Sequence, residues 1–390
     1  PYTDPWEPNV DPALRAAANA LGMHVAARLT TEGKRGIVTG AIFDAWTPAR
    51  AYPHTHGGVR LLSETASARL ATPFDVDPDE LRSRRGGYDP KTASWNFPAP
   101  WPGGTWRLGD VVEYQLAASL AVLDHAARNR EYWLRTFLGV NRRACEAREP
   151  RAYVVPAVQR DPLAAARLIE VLHVGGVEVH RAGAGFEAGG RRFPGGSHVI
   201  PMAQPASAFA RTLLERQRYP DIRPDPDRPP RRPYDVTAHT LPLLLGGEVE
   251  AITEPLAADL VGIDVPYVAR GRVEGEGPRF AVGHTSGGLA ALGRLLADGV
   301  DVRWALEPFS EGGTVFPAGT LLVESSARRE LEALAIELGL SPRGVRARAP
   351  TLRLRAPRVG LYRSWVPSMD EGWTRYVFER EMDVAFRTLH

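Results

Sequence analysis

Phe186-Glu-Ala-Gly-Gly-Arg-Arg-Phe-Pro-Gly-Gly-Ser-His-Val-Ile200 aligns without gaps to Phe309-Ser-Glu-Gly-Gly-Thr-Val-Phe-Pro-Ala-Gly-Thr-Leu-Leu-Val323. The offset of 123 residues (186 to 309) also superposes Val177-Glu-Val-His180 on Val300-Asp-Val-Arg303. Each copy reads strand, helix, strand, Gly-Gly turn, strand, with Tyr153–Pro156 and Leu163–His173 opening the first and Phe280–Val282 and Leu289–Leu296 the second. A period this long is not that of a solenoid, so it predicts two duplicated α/β units packed together. The repeats cover about residues 153–205 and 280–327 of a region spanning 149–350. Tyr219 to Asp235, with six prolines, joins them as an extended, semi-rigid connector. The Gly-Gly pairs precede strands rather than helices, which favours hairpin turns over a phosphate-binding loop.

Before the repeats, residues 10–30 read as a helix with Asp11-Pro12 at its start, Gly36 to Phe43 as a short strand, and Asp110 to Phe137 as one long helix with apolar positions at Val111, Tyr114, Leu116, Leu120 and Leu123. The Pro- and Trp-rich stretch from Trp95 to Trp106 reads as loop, its indoles packed on a neighbouring surface. After the repeats, Val359-Gly-Leu-Tyr362 reads as a strand and Glu371 to the end as a helix, the first βα unit of a further, truncated domain. The fold class expected is α/β throughout, divided near residues 148 and 350. A start at Pro1 and an end inside a helical pattern read as a piece of a longer protein.

With 44% hydrophobic and 24% charged residues, the composition is that of an ordinary globular protein. Net charge is only +2, without blocks of like charge, which argues against nucleic acid as a partner. No apolar run approaches the ~18 residues of a membrane helix. Cys145 is the sole cysteine, so internal disulfides and cysteine-based zinc sites are excluded, and it reads as an inert helix residue.

Chemistry is sparse. None of the ten histidines has a Glu three positions on. His54-Thr-His56 is the one close pair; on a strand both rings would share a face and could give two ligands to zinc, although a turn with both histidines hydrogen-bonded near the surface fits better. His239 faces Asp235 only if the segment folds back, and no nucleophilic Ser lies nearby. Thr285 in His284-Thr-Ser286 suits a helix cap. The singular feature is His56-Gly-Gly-Val-Arg-Leu-Leu-Ser-Glu64-Thr-Ala-Ser67, an apolar, strand-like run ending in a carboxylate. Such a carboxylate is either paired, here to Arg60 or Arg69, or employed.

Residues 1–137 resemble the C-terminal part of the catalytic domain of carboxypeptidase A-like zinc metallopeptidases, large bacterial multidomain members in particular. The residues that carry the likeness are Pro1-Tyr-Thr-Asp-Pro5-Trp-Glu-Pro-Asn9, Phe43-Asp-Ala-Trp46, the run from His56 to Ser67, and Trp101-Pro-Gly-Gly-Thr-Trp106-Arg-Leu-Gly-Asp110. Gln204-Pro205, Gln217 to Asp221, Arg232 to His239 and Ser368 to Arg375 are similar to the accessory region of such proteins, and residues 351–390 to the opening of a glutamine amidotransferase-like domain. The resemblance implies a zinc-dependent hydrolase of peptide bonds, acting on peptide or peptidoglycan-type substrates in the periplasm or outside the cell. Glu64 matches the general base. Tyr52, as the tyrosine that closes over substrate, and His56 are the implied substrate-binding residues. The family's His-x-x-Glu zinc pair and third histidine precede the matched region, so this chain is expected to hold the base without the ligands and to be inactive alone. Two rivals stand beside this reading: a non-catalytic peptidase homologue that binds peptide or cell-wall ligands, and an amidotransferase-like enzyme needing a Cys-His pair after residue 390.

Overall fold

The computed structural model describes residues 2–69, 71–82, 87–146, 149–223, 225–235, 238–263, 271–346 and 348–390. The chain is of mixed α/β class. The repeated sequences build two five-stranded antiparallel sheets of the same design. In the first unit, β5 (Ala152–Val155), α5 (Pro162–Val174), β6 (His180–Ala182), the hairpin β7 (Phe186–Ala188) and β8 (Arg191–Phe193), and β9 (His198–Pro201) follow one another. They are numbered after four earlier strands and four earlier helices described below. After α6 (Ser207–Leu214) and α7 (Leu241–Leu245), strands β10 (Glu250–Ile252) and β11 (Leu260–Gly262) close the sheet in the order β10-β5-β9-β6-β11. The second unit repeats this with β12 (Arg279–Val282), α8 (Ser286–Ala297), β13 (Val302–Ala305), β14 (Phe309–Glu311), β15 (Thr314–Phe316) and β16 (Leu321–Glu324). Helix α9 (Arg328–Leu338) and strands β17 (Arg343–Val345) and β18 (Thr351–Arg353) complete it, in the order β17-β12-β16-β13-β18. In each unit the fifth and last strand of the repeat, β9 or β16, inserts between the two strands that the helix connects.

Both sheets are covered on two faces because their central strands are apolar on both sides. In the first, Tyr153, Val155 and Ile200 meet Leu168, Ile169 and Leu172 of α5, while Val154 and Val199 face the hairpin through Phe186 and Phe193. In the second, Phe280, Val282 and Val323 meet Ala291 and Leu295 of α8, while Ala281 and Leu322 face Phe309 and Phe316. The hairpin rings stack in both copies, at 5.2 Å and 24° for Phe186–Phe193 and 4.9 Å and 14° for Phe309–Phe316. Even small bonds recur: Ser197 Oγ donates to Pro194 O at 2.8 Å, and Thr320 Oγ1 to Pro317 O at 2.7 Å. Asp161 fastens the units by accepting from Ala164 N at the start of its own helix and from Ser286 N at the start of α8, at 3.1 and 2.6 Å.

The Gly-Gly pairs are hairpin turns. Gly190 and Gly313 lie at φ 69° and 76° with no heavy atom within 4 Å of an added Cβ. Alanine at either position therefore meets only backbone strain, about 1 kcal/mol. Gly190→Ala and Gly313→Ala are expected to lower stability by the same amount in denaturant titrations; a loss in one copy alone would contradict the equivalence of the turns.

The N-terminal 146 residues contain β1 (Thr3–Trp6), α1 (Pro12–Thr31), β2 (Asp44–Ala45), α2 (Pro48–Thr55), β3 (Phe74–Val76), β4 (Gly104–Trp106), α3 (Leu108–Arg128) and α4 (Arg130–Cys145). The Asp11-Pro12 start is present, with Asp11 Oδ1 accepting from Ala13 N at 2.9 Å. Several expectations fail here. Gly36 to Phe43 and Val59 to Leu62 belong to no strand: the first bends at Gly36 and Gly40, at φ 79° and 60°, and meets its neighbours only through isolated bonds such as Gly36 N to Ala99 O and Thr39 N to Asn96 O, while the second makes no backbone–backbone hydrogen bond among the described residues. The long helix is two helices, broken at Asn129 (φ −111°, ψ 27°), whose Nδ2 bonds back to His125 O at 2.9 Å. Its leucines do not form its buried face either. Leu116, Leu120 and Leu123 are exposed while Ala118 and Ala121 are buried beside Leu29 of α1, because small residues let the two helices approach. In the tryptophan-rich loop, Trp106 is buried and ends in β4, but Trp95 is exposed to solvent rather than packed.

The proline-rich connector lies back on the N-terminal part. Tyr219 packs edge-on against Trp46 at 5.2 Å and Tyr234 against Phe43 at 4.8 Å. Buried Arg50 reaches Asp235 at 2.7 Å and lies 4.4 Å from the Tyr234 ring.

At the other end, β19 (Val359–Tyr362) is a strand as expected, but the following helix stops early. Helix α10 spans Met369–Tyr376, a wider turn follows through Glu381, and β20 (Phe386–Leu389) pairs in parallel with β19. Asp383 at φ 50° turns the chain between them. The segment is thus a βαβ unit and not a βα unit. No helix among the described residues is long and apolar enough to cross a membrane.

Candidate functional site

Glu64 lies on the extended segment after α2. Val59, Leu61 and Leu62 anchor that segment by packing against Tyr2, Trp6, Leu14 and Ala45. Arg60 Nη1 donates to Tyr2 Oη at 3.4 Å. Glu64 itself is exposed and forms no ion pair among the described residues; Arg69 turns instead to the face of Phe74, 5.7 Å from its centroid. The residues after Glu64 are tied down by side chains from far away. Gln115 Nε2 of α3 donates to Thr65 Oγ1 at 2.6 Å, and Trp106 Nε1 donates to Ala66 O at 2.9 Å.

Glu64 lines a cavity of about 410 Å³ whose wall is apolar, built from Val25 and Leu29 of α1, Leu62, Phe97, Trp101 and Trp106 among others. The size is in the range of small-molecule and peptide sites. Tyr114 closes one side; its hydroxyl donates to Arg35 O and accepts from Arg35 N at 3.1 and 3.0 Å.

The other two implied site residues are elsewhere. Tyr52 and His56 do not line this cavity. They lie at the end of α2, where both rings pack on Phe209 of α6 at 5.3 and 5.0 Å. Both His56 nitrogens face carbonyl oxygens, Nδ1 that of Tyr52 at 2.8 Å and Nε2 that of Gly175 at 2.7 Å. His56 is therefore a joint between the N-terminal part and the first repeat unit rather than a wall of Glu64's cavity.

The paired-histidine idea fails for the same local reason. His54 sits in helix α2 and not on a strand, is 1% exposed, and contacts Gly58 O through Nδ1 at 3.2 Å between the rings of Tyr2 and Trp6. Burial pushes its pKa below the ordinary value and keeps it neutral. Among the described residues no group of three His, Cys, Asp or Glu side chains is arranged to hold a metal ion. With both His56 nitrogens facing carbonyl oxygens and His54 enclosed by aromatic rings, these residues do not fit zinc. Asp235 pairs with Arg50 at 2.7 Å, and the buried Nδ1 of His239 has no hydrogen-bond partner among the described residues, so the two do not form a pair. Thr285 does cap α8, accepting from Gly288 N at 3.1 Å.

One titratable group escaped the sequence reading. Glu7 is buried, and burial raises its pKa to about 7 despite bonds from Asn9 N and Nδ2 at 2.8 and 3.0 Å. Asn9 Nδ2 also reaches Glu215 Oε1 at 2.7 Å, so the amide bridges two carboxyl groups across the seam to α6. The signal was a Glu between Trp6 and Pro8, in a stretch otherwise suited to burial.

Comparison with known proteins found no matching family model, no matching curated protein and no matching solved structure.

Proposed function

We propose that this chain carries the base-bearing part of a zinc metallocarboxypeptidase-like hydrolase acting on peptide or peptidoglycan-type substrates, with Glu64 as general base. The observation that supports it most is an exposed carboxylate, with no ion pair among the described residues of an arginine-rich chain, beside an apolar cavity of peptide-site size. In this reading Glu64 takes a proton from the water that attacks the scissile carbonyl and returns it to the departing amine. Any zinc would be held by residues outside those described. The duplicated units are accessory, residues 351–390 open an amidotransferase-like domain, and the protein acts in the periplasm or outside the cell.

The test is release of the C-terminal residue from N-blocked peptides by the natural gene product, followed by mass spectrometry, with and without a zinc chelator. Chelator-sensitive release is expected; its absence would contradict the reading. A second reading is a non-catalytic binding protein, in which the apolar cavity beside Glu64 holds a peptide without cleaving it. Peptide or murein fragments bound but never cleaved by the gene product would select it.

A further inference from the structure

We propose that Gln115 and Trp106 are positioning residues for Glu64, acting through Thr65 and Ala66. The inference rests on Glu64 being the base and deepens that reading.

The argument starts from what the segment lacks. A strand is held by its ladder, but residues 59–66 make no backbone–backbone hydrogen bond among the described residues. Their direction is therefore set by side chains. Before Glu64 the anchors are apolar, with Leu61 and Leu62 half-buried, save one long hydrogen bond from Arg60 Nη1 to Tyr2 Oη at 3.4 Å. Apolar contact is non-directional and does not fix where the next residue points. After Glu64 the anchors are two hydrogen bonds on successive residues, at 2.6 Å to Thr65 Oγ1 and 2.9 Å to Ala66 O. Among the described residues these two alone combine short range with direction.

The donors are themselves held. Trp106 is buried at the end of β4, in register with Phe74 of β3, and packs edge-on against Trp101 and Tyr114 at 5.7 and 5.4 Å. Tyr114 and Gln115 are neighbours on α3, so one helical turn both braces the indole and supplies the second donor. Rigid elements thus reach a loop that has no rigidity of its own. A base misplaced by about 1 Å costs up to ~100-fold in rate.

The experiment compares Thr65→Val, Thr65→Ser, Trp106→Phe and Glu64→Gln in the natural gene product, measuring kcat, KM and thermal midpoint. Thr65→Val keeps shape and removes the acceptor; kcat is expected to fall about tenfold or more, with KM changed less than about twofold. Thr65→Ser restores the hydroxyl and is expected to recover kcat. Trp106→Phe keeps an aromatic ring, removes the N–H donor together with part of the indole's bulk, and is expected to lower kcat in the same way. A merely structural role would lower the thermal midpoint without splitting kcat from KM, and that result overturns the proposal. Unchanged kcat in Thr65→Val and Trp106→Phe, with Glu64→Gln inactive, also overturns it and leaves the general-base reading standing. If Glu64→Gln retains full activity, or the native protein hydrolyses nothing, the general-base reading fails and the proposal falls with it.

Discussion

Glu64→Gln is expected to lower kcat for peptide hydrolysis roughly 10²–10⁴-fold in the natural gene product while leaving its fold and any bound zinc in place. The amide is nearly isosteric with the carboxylate, and Glu64 is exposed with no ion pair among the described residues, so the substitution breaks no structural contact of the described fold. A carboxylate that only decorates the surface would be worth a few tenths of a kcal/mol in stability and nothing in rate. Full activity of Glu64→Gln, with unchanged circular dichroism, would remove Glu64 from the chemistry.

The second large effect concerns acid stability. His198, on the central strand β9, is 3% exposed, and burial with the nearby Arg181 charge pushes its pKa down to about 4. A depressed histidine stabilises the fold fully above the unfolded value of about 6.5; that stability is lost as pH falls toward 4 and levels off below it. The drop corresponds to roughly 3 kcal/mol, a large share of a typical domain's stability. His239, also pushed to about 4 by burial, acts in the same direction. Glu7 acts in the opposite one: its raised pKa costs stability as pH rises from about 4.5 to about 7, so acid relieves it. The isolating measurement is therefore the urea midpoint of native protein and His198→Leu between pH 7 and 4.5. The native protein is expected to lose the larger share of its stability over that interval. Equal pH dependence in both would show that His198 does not titrate as a buried group.

The duplication was legible because its marks are local. Paired phenylalanines, a Gly-Gly turn and a Pro-x-Gly corner recur at fixed spacing, and each constrains only the residues beside it. The insertion of β9 between β5 and β6 was not legible, since it depends on partners up to 49 residues apart (152 to 201) and leaves no period in the sequence. Asn129 hid the helix break for a related reason: its side chain competes for His125 O only once the preceding turn exists.

The candidate site divides similarly. Glu64 could be singled out from one apolar run and its terminal carboxylate. What surrounds it could not: the strand assigned to Val59–Leu62 presupposed a neighbour, and the donors that hold its loop come from 40 and 50 residues away. Gln115 carries no mark of its role, one polar residue on a helix with many. His56 is close to Glu64 in sequence, yet the end of α2 directs its ring to Gly175 of the first repeat unit. The leucines of α3 mislead by size, since the buried face of that helix is made of alanines.

The central claim, that this chain supplies the base but not the metal ligands, is tested most directly by counting zinc. Elemental mass spectrometry on the purified 390-residue chain and on the natural gene product gives zinc per molecule. The account predicts almost none in the former and about one in the latter. Stoichiometric zinc in the 390-residue chain alone would contradict it, because a site would then exist where His54 and His56 have been assigned to packing and to the seam with the first repeat unit.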